Sequence, residues 1–413
     1  MNLPITTKGR ILSSLVILLT SVSSQADDFA NQRKEVEALA KLTKAPVVQA
    51  AERFSNTESV KPIYFDGLDW QGKPTKVFAW LGLPKNPKGK VPGVVLVHGG
   101  GGTAFKLWVE KWNAKGYAAI SIAVEGQTDV KAKKGQPAIA TKWSKHQWSG
   151  PERKGIYNDS KPTVEITDQW MYHAVADTIL ANSLLRSLPE VDADKVGLMG
   201  ISWGGVITST VIGINDRFAF AIPTYGCGDL TKAQNQYGKS LGKNETYKQV
   251  WDPMLRLEKV ETPTLWFSWP EDKHFPMNHF AACYKKVKGP YMVSLIPILG
   301  HGHGPPWNKE DSYAFADSVV KQERVWCRQT NLKKERNMVE VSFASAKPLQ
   351  QATLVSTKDK GVSGLRKWTV STATIKKEGN QWIAQTSLPH GTTAWFINVS
   401  NGKLTASSDY QEE

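Results

Sequence analysis

The chain has 413 residues, of which 40% are hydrophobic and 22% are charged. This composition excludes a disordered or fibrous protein, and the length allows a sizeable buried core and more than one domain. The formal charge is +14, with lysines scattered along the chain. Scattered cations favour a solvated basic surface or, alternatively, attraction to an acidic polysaccharide. Because no nucleic-acid-binding module is recognisable, we expect no nucleic acid partner.

The first 26 residues have the pattern of a secretory signal peptide. Lys8 and Arg10 precede an apolar run at 11–20, and residues 24–26 end in Ala26, where a signal peptidase would cut. The run is too short to span a bilayer comfortably, and no later stretch reaches about 18 uninterrupted apolar residues. We therefore predict cleavage near Ala26 and a periplasmic or secreted protein without a membrane span, with an uncleaved anchor as the alternative.

Beyond this segment, predicted strands and helices alternate. Residues 28–54 have helical spacing, strands at 61–65 and 75–83 are expected to pair, and the apolar run 93–97 is typical of a strand buried on both faces. The later elements are a helix at 106–115, a strand at 117–124, a helix at 169–188, strands at 195–200, 218–223, 263–268 and 292–298, and a helix at 309–325. This alternation predicts an α/β catalytic domain over 27–330, with a doubly wound, mostly parallel sheet.

Two stretches depart from the alternation. Residues 126–168 are long, polar and aromatic, with Trp143, His146 and Trp148, and predict an insertion or lid at the mouth of the site. After residue 330 no helical pattern returns, and short strands are predicted at 339–343, 352–355, 368–373, 382–387 and 394–399. We therefore predict a small all-β sandwich over 331–413, which either binds a glycan or covers hydrophobic surface.

The strongest local motif is Gly-Ile-Ser-Trp-Gly-Gly at 200–205, between a predicted strand and a helical stretch. Glycines on both sides allow the sharp turn that exposes a serine hydroxyl. Ser202 is therefore the candidate nucleophile. The N–H of Trp203 would lie at a helix N-terminus, where it can stabilise an oxyanion, and its indole suggests an aromatic-walled pocket.

A second glycine-rich segment, His-Gly-Gly-Gly-Gly at 98–102, follows the buried strand 93–97. Only glycine lets the backbone approach a substrate this closely. We predict the N–H of Gly100 as the second oxyanion donor, with Gly101 as the alternative. His98 is expected to shape the loop through a hydrogen bond. A phosphate loop is not favoured, because no Gly-Lys-Ser/Thr follows.

A serine nucleophile needs a histidine base that an acid orients, in the chain order serine, acid, histidine. Asp272 is favoured over its neighbour Glu271, because it lies where the chain leaves a predicted strand. His301 follows the last predicted strand of the catalytic domain, at 292–298, and is flanked by glycines, with His303 as the alternative base or a substrate contact. The predicted catalytic residues are therefore Ser202, Asp272 and His301.

Three cysteines, Cys227, Cys283 and Cys327, are too few for a disulfide framework. One bridge fits an oxidising compartment. The favoured pair is Cys283 with Cys327, which would leave Cys227 free, although the sequence does not fix the pairing. No CxxC or HExxH motif occurs, so we predict no metal and no cofactor.

Three segments together resemble one branch of the bacterial α/β-hydrolases. Leu-Met-Gly-Ile-Ser-Trp-Gly-Gly at 198–205, Pro-Thr-Tyr-Gly-Cys-Gly at 223–228 and His-Gly-His-Gly at 301–304 are similar to those of the acetyl xylan esterase and prolyl-oligopeptidase-like branch. The resemblance covers about residues 60–325. It implies ester hydrolysis, often deacetylation of a polysaccharide, with the three predicted catalytic residues at the triad positions. Trp269 is a departure, because relatives usually carry glycine there.

These patterns predict a secreted serine carboxylester hydrolase that acts through an acyl-enzyme on a small-molecule or polysaccharide ester. A prolyl-oligopeptidase-like peptidase and a non-catalytic carbohydrate-binding relative are the alternatives. Glucuronoyl esterases carry arginine directly after the nucleophile, where this chain has Trp203. The acyl group, the alcohol and the oligomeric state stay open.

Overall fold

The computed structural model describes residues 27–55, 59–139, 142–157 and 164–413. The predicted signal peptide at 1–26 lies outside the described residues. Among the described helices, none is both long enough and apolar enough to cross a bilayer.

The helices and strands follow in chain order. The helices span 27–38 (α1), Lys106–Ala114 (α2), Trp170–Ser187 (α3), Trp203–Val211 (α4), Gln236–Leu241 (α5), Met277–Tyr284 (α6), Gly304–Trp307 (α7) and Asp311–Gln322 (α8). The first strands span Val48–Ala50 (β1), Val60–Asp66 (β2), Lys76–Gly82 (β3), Val91–Val97 (β4), Ala118–Ile122 (β5), Gln127–Lys131 (β6), Ala138–Ile139 (β7), Trp143–Lys145 (β8), Val191–Ile201 (β9), Ala221–Thr224 (β10), Thr264–Ser268 (β11) and Tyr291–Leu295 (β12). The later strands span Cys327–Glu335 (β13), Met338–Ser345 (β14), Gln351–Thr357 (β15), Thr369–Glu378 (β16), Gln381–Ser387 (β17), Ala394–Asn401 (β18), Leu404–Ser407 (β19) and Gln411–Glu412 (β20).

The central sheet has the order β1-β2-β3-β5-β4-β9-β10-β11-β12. Strands β5 to β12 in that order pair in parallel, and β1, β2 and β3 form an antiparallel edge. Successive residues of the buried strand β4 point to opposite faces: Val95 and Val97 belong to the hydrophobic cluster that contains α3, and Val94 and Leu96 belong to the cluster that contains α2 and α8. Helices thus cover both faces. The doubly wound α/β fold predicted from the sequence is confirmed.

The prediction of one helix over 28–54 is wrong. The helix α1 ends at residue 38, a 3-10 turn at Leu39–Lys41 follows, and β1 then pairs with β2. Pro46 explains why no single helix continues to residue 54, because proline supplies no backbone N–H and is not tolerated inside a helix. Pairing with β2 then gives the backbone of β1 hydrogen-bond partners that a helix would otherwise have supplied.

The C-terminal strands form a small sandwich that is joined to the central sheet. One layer has the order β13-β14-β17-β16 and the other β16-β15-β18-β19, so β16 belongs to both. Strand β19 pairs with β12 at Val293 and Ser407. The side-chain amide of Asn398 adds a 2.9 Å hydrogen bond to the carbonyl of Leu295. The boundary at residue 330 stays a prediction, and the first strand of the sandwich begins at Cys327.

The favoured disulfide between Cys283 and Cys327 is wrong. All three cysteines are free and buried. Cys283 lies in α6 and packs in the same hydrophobic cluster as Cys227, whereas Cys327 packs in the cluster on the other side of the sheet. Two cysteines in separate clusters do not meet the short distance that a disulfide requires.

Candidate active site

Ser202 lies on the sharp turn between β9 and α4. Its backbone has φ 58° and ψ −118°, a strained conformation for a residue with a side chain. The turn requires glycine on both sides. A Cβ on Gly200 would collide with the carbonyl of Gly204, and one on Gly204 would collide with the carbonyl of Val97. The sequence motif therefore specifies the backbone geometry that presents the Ser202 hydroxyl.

Ser202, His301 and Asp272 form one hydrogen-bonded series. The Nε2 atom of His301 lies 3.1 Å from the Ser202 Oγ, and its Nδ1 lies 2.8 Å from the Asp272 Oδ2. The three residues come from the ends of β9 and from the loops that follow β12 and β11. Ser202 is 8% exposed and Asp272 is 0% exposed. This geometry suits a hydroxyl nucleophile, a base and an orienting carboxylate.

The Asp272 carboxylate has four N–H partners. Its Oδ1 accepts from the backbone N–H groups of His274 (2.7 Å) and Phe275 (3.0 Å), and its Oδ2 accepts from the indole of Trp269 (3.2 Å) as well as from His301. The tryptophan that departs from the family pattern therefore supports the acid. Its neighbour Glu271 is half-buried, and burial raises the pKa of its carboxyl group.

The ring of His301 is held between aromatic neighbours. Phe275 stacks nearly parallel to it at 6.0 Å, and the rings of Tyr225 and His274 lie 4.5 and 4.6 Å away. The hydroxyl of Tyr225 donates to the carbonyl of Gly302 and also accepts from the N–H of that glycine. These contacts fix the loop that carries His301.

The glycine-rich loop 98–102 is fixed from several sides. The N–H of Gly99 donates to the Nε2 of His303 at 3.0 Å, and the indole of Trp143, in the predicted lid, donates to the carbonyl of Gly101 at 2.9 Å. Among the described residues, the N–H groups of Gly100 and Trp203 have no hydrogen-bond acceptor. Both predicted oxyanion donors are therefore free for a ligand.

His98 and His303 are neutral supports of this loop. His98 contacts the Gly99 carbonyl through Nδ1 (2.7 Å), and its Nε2 accepts from the N–H of Val124 at 3.1 Å. Burial lowers the pKa of His98 to about 3 and the pKa of His303 to about 4. His303 is the alternative base predicted from the sequence, but in this structure its Nε2 accepts a hydrogen bond from the N–H of Gly99.

An arginine that the sequence did not single out lies beside the loop. Arg153, in the short 3-10 segment Arg153–Tyr157, approaches Gly100 and lies over the rings of Tyr157 and Trp203, with its Cζ 5.7 and 5.9 Å from their centroids. Its backbone N–H donates to the carboxylate of Glu125 at 3.1 Å. No motif could have revealed it, because Arg153 stands in an irregular insertion far from the glycine loop in sequence.

A serine on a strand–helix elbow, with histidine and aspartate from later strand ends of a mostly parallel sheet, is the arrangement of a serine hydrolase with the α/β-hydrolase fold. Among the described residues, no group of three or more histidine, cysteine or acidic side chains is placed to hold a metal ion.

The sequence profile of the acetyl xylan esterase (AXE1) family matches residues 19–229, just over half of the chain, and that of the prolyl oligopeptidase family matches residues 163–323. The chain belongs to the acetyl xylan esterase family. The protein is therefore a carbohydrate esterase-like hydrolase.

Two solved structures share this fold. One is an acetyl xylan esterase from Paenibacillus sp. R4, at 21% identity and a TM-score of 0.51, with 67% of this chain and 90% of that chain covered. The other is acetyl xylan esterase 1 from Thermoanaerobacterium sp. JW/SL YS485, at 19% identity and a TM-score of 0.52, with 68% and 90% covered. At this level of identity the similarity shows a common fold.

Proposed function

We propose that this chain is a secreted or periplasmic serine carboxylester hydrolase that removes acetyl groups from a carbohydrate through an acyl-enzyme. The observation that carries the proposal is the series from Asp272 through His301 to Ser202, with contacts of 2.8 and 3.1 Å. Membership of the acetyl xylan esterase family supports acetate as the acyl group. The basic and apolar pattern before Ala26 supports secretion.

In the first step the Ser202 Oγ attacks the carbonyl carbon of the ester while the Nε2 of His301 accepts the hydroxyl proton. Asp272 remains ionised, holds the imidazole in the tautomer with a protonated Nδ1, and stabilises the charge that develops on the ring. The carbonyl oxygen gains negative charge and accepts from the N–H groups of Gly100 and Trp203. Loss of one such donor typically raises the barrier by about 2.7–4 kcal/mol.

The tetrahedral intermediate then collapses. The carbon–oxygen bond to the sugar breaks, and His301 gives its proton to the leaving alcohol, which leaves an acetyl group on Ser202. Water attacks this acetyl-enzyme, with His301 as base once more. Acetate leaves and the Ser202 hydroxyl is restored.

The test compares two serine variants on p-nitrophenyl acetate. Ser202→Ala should abolish turnover with an unchanged melting temperature. Ser209→Ala is the matched control, because Ser209 lies in the same helix α4 and, within the described part of the chain, its hydroxyl bonds the carbonyl of Gly205 in its own helix. Turnover by folded Ser202→Ala at the control rate contradicts the proposed nucleophile.

A peptidase is the second candidate, because the prolyl oligopeptidase profile matches residues 163–323. Acetate release from acetylated xylan, set against cleavage of aminoacyl naphthylamides by the same preparation, decides between the two. Secretion is tested separately. N-terminal sequencing of exported protein should begin at Asp27, and a chain that keeps residues 1–26 would contradict cleavage.

A further inference from the structure

The guanidinium group of Arg153 lies flat against the glycine loop. A Cβ built on Gly100 would be 2.9 Å from the Arg153 Cζ, 3.0 Å from Nη2 and 3.1 Å from Nε. Three nearly equal distances mean that the plane of the guanidinium faces the glycine. Any side chain at position 100 would displace this cation. Arg153 is therefore a direct neighbour of the residue whose N–H we assign to the oxyanion.

Much of the hydrogen-bonding capacity of Arg153 is unused. Its Nη1 donates to the hydroxyl of Tyr157 at 2.9 Å, and its Nε lies 3.5 Å from the Glu125 Oε1 without hydrogen-bond geometry. Among the described residues, no acceptor receives a hydrogen bond from Nη2. An arginine fork has five N–H donors, and an ionised oxygen group is the partner that matches them best.

The ion pair with Glu125 positions the arginine and does not cover it. The Glu125 side chain is 4% exposed, whereas that of Arg153 is 18% exposed. Glu125 contacts the Nε edge and the backbone N–H of Arg153. The carboxylate thus lies behind the cation, and the accessible part of the pair is positive.

The other side of the glycine loop is also positive. Trp143 bonds the Gly101 carbonyl, and the ammonium groups of Lys131 and Lys142 lie 4.6 and 5.1 Å from the centroid of its ring. Cations on both sides of a site raise the local concentration of anionic ligands. Beside Arg153, the part-exposed ring of Tyr157 supplies a flat apolar face of the kind that packs against a sugar ring.

We propose that Arg153 forms a subsite for an anionic group, a carboxylate or a sulfate, on the carbohydrate that carries the scissile ester. This assignment rests on the proposed esterase function. It makes the preferred substrate an acetylated acidic sugar rather than a neutral one. Arg153 is then a specificity-determining residue that binds the alcohol portion of the ester.

Three acetylated methyl glycosides test the subsite. They are a glucoside, a glucuronoside and a glucoside 6-sulfate, each with one acetyl group on the same ring oxygen, so that they differ only at C6. For wild type we expect kcat/KM on at least one anionic glycoside to exceed that on the neutral one by about 10-fold or more. The carboxylate and sulfate compounds show which anion is preferred.

The variants separate charge, geometry and position. Arg153→Gln should bring the ratio of anionic to neutral kcat/KM to within about twofold of one, and Arg153→Lys, which keeps the charge without the fork, should give an intermediate ratio. Lys154→Gln is the matched control, because the Lys154 side chain is 76% exposed and its ammonium pairs with Glu152 instead. It should keep the wild-type ratio. Melting temperatures establish that each variant is folded.

Calorimetry supplies a readout that does not depend on hydrolysis. The anionic glycosides should bind Ser202→Ala at least about 10-fold more tightly than Ser202→Ala/Arg153→Gln. A wild-type ratio near one, or a ratio that Arg153→Gln leaves unchanged, overturns the anion subsite while the esterase function stands. If wild type releases acetate from none of the glycosides, the proposed function fails instead. In that case the calorimetry still tests the subsite: if the anionic glycosides bind Ser202→Ala and Ser202→Ala/Arg153→Gln with equal dissociation constants, the subsite is overturned as well.

Discussion

The hydrogen bond between Gly99 and His303 gives the most quantitative prediction. In His303→Leu the buried N–H of Gly99 loses its acceptor, and an unsatisfied buried donor costs about 1–3 kcal/mol. For a domain of this size each kcal/mol lowers the melting temperature by about 2–4 °C, so we expect a decrease of about 2–12 °C.

The same variant should reduce catalysis, because Gly99 directly precedes the assigned oxyanion donor Gly100. Complete loss of one donor costs about 10²–10³-fold in kcat. Partial displacement of the loop should cost less, about 10- to 100-fold, with a smaller change in KM. His303→Gln is the matched control, since its amide oxygen can accept from Gly99 and should keep most of the activity.

Steady-state kinetics on p-nitrophenyl acetate, together with thermal melts, measure both effects. Wild-type kcat and melting temperature in His303→Leu would refute the role given to this bond. A second result would contradict the assignment of His301 as the base. If folded His303→Leu were inactive while His301→Ala kept its activity, His303 and not His301 would be the base.

Three further predictions concern the acid, pH and the C-terminal sheet. Trp269→Phe removes one of four donors to Asp272 and should lower kcat/KM about 3- to 10-fold with the fold intact; an unchanged value contradicts this. Burial lowers the pKa of His303 to about 4 in the folded protein. In the unfolded chain this histidine is exposed and has a pKa of about 6.5, so as the pH falls it is protonated there first. Between pH 7 and pH 5, the free energy of unfolding of the wild type should therefore fall by about 2 kcal/mol more than that of His303→Gln. Urea titration at the two pH values measures both losses, and equal losses would contradict the prediction. Asn398→Leu should cost about 1–3 kcal/mol in the same assay, because it removes the amide that joins the sandwich to β12, and no loss would show that this bond is dispensable.

The fold could be predicted because the sequences of its core strands are continuous apolar runs. β4 is buried along nearly its whole length, and the run at 93–97 made it visible. β13 was missed, because most of its side chains are polar and exposed and no alternation marks it. Its partners across the sheet define it, and these contacts are not visible in a local pattern.

The candidate site divides in the same way. Ser202 could be proposed from sequence because the glycines of its turn stand beside it. The contacts of His303 with Gly99 and of Arg153 with Gly100 join residues that lie far apart in the chain. No spacing rule connects such pairs. In the sequence Trp269 is a departure from the family pattern, and only the three-dimensional structure reveals that its indole donates to Asp272.

The central claim is that Ser202 is the nucleophile of an esterase. The most direct measurement is to treat the folded protein with a fluorophosphonate probe, digest it, and identify the modified residue by mass spectrometry. The account predicts one adduct, on Ser202, that blocks acetate release in proportion to labelling. An adduct on another residue, or full acetate release from protein labelled on Ser202, would contradict it.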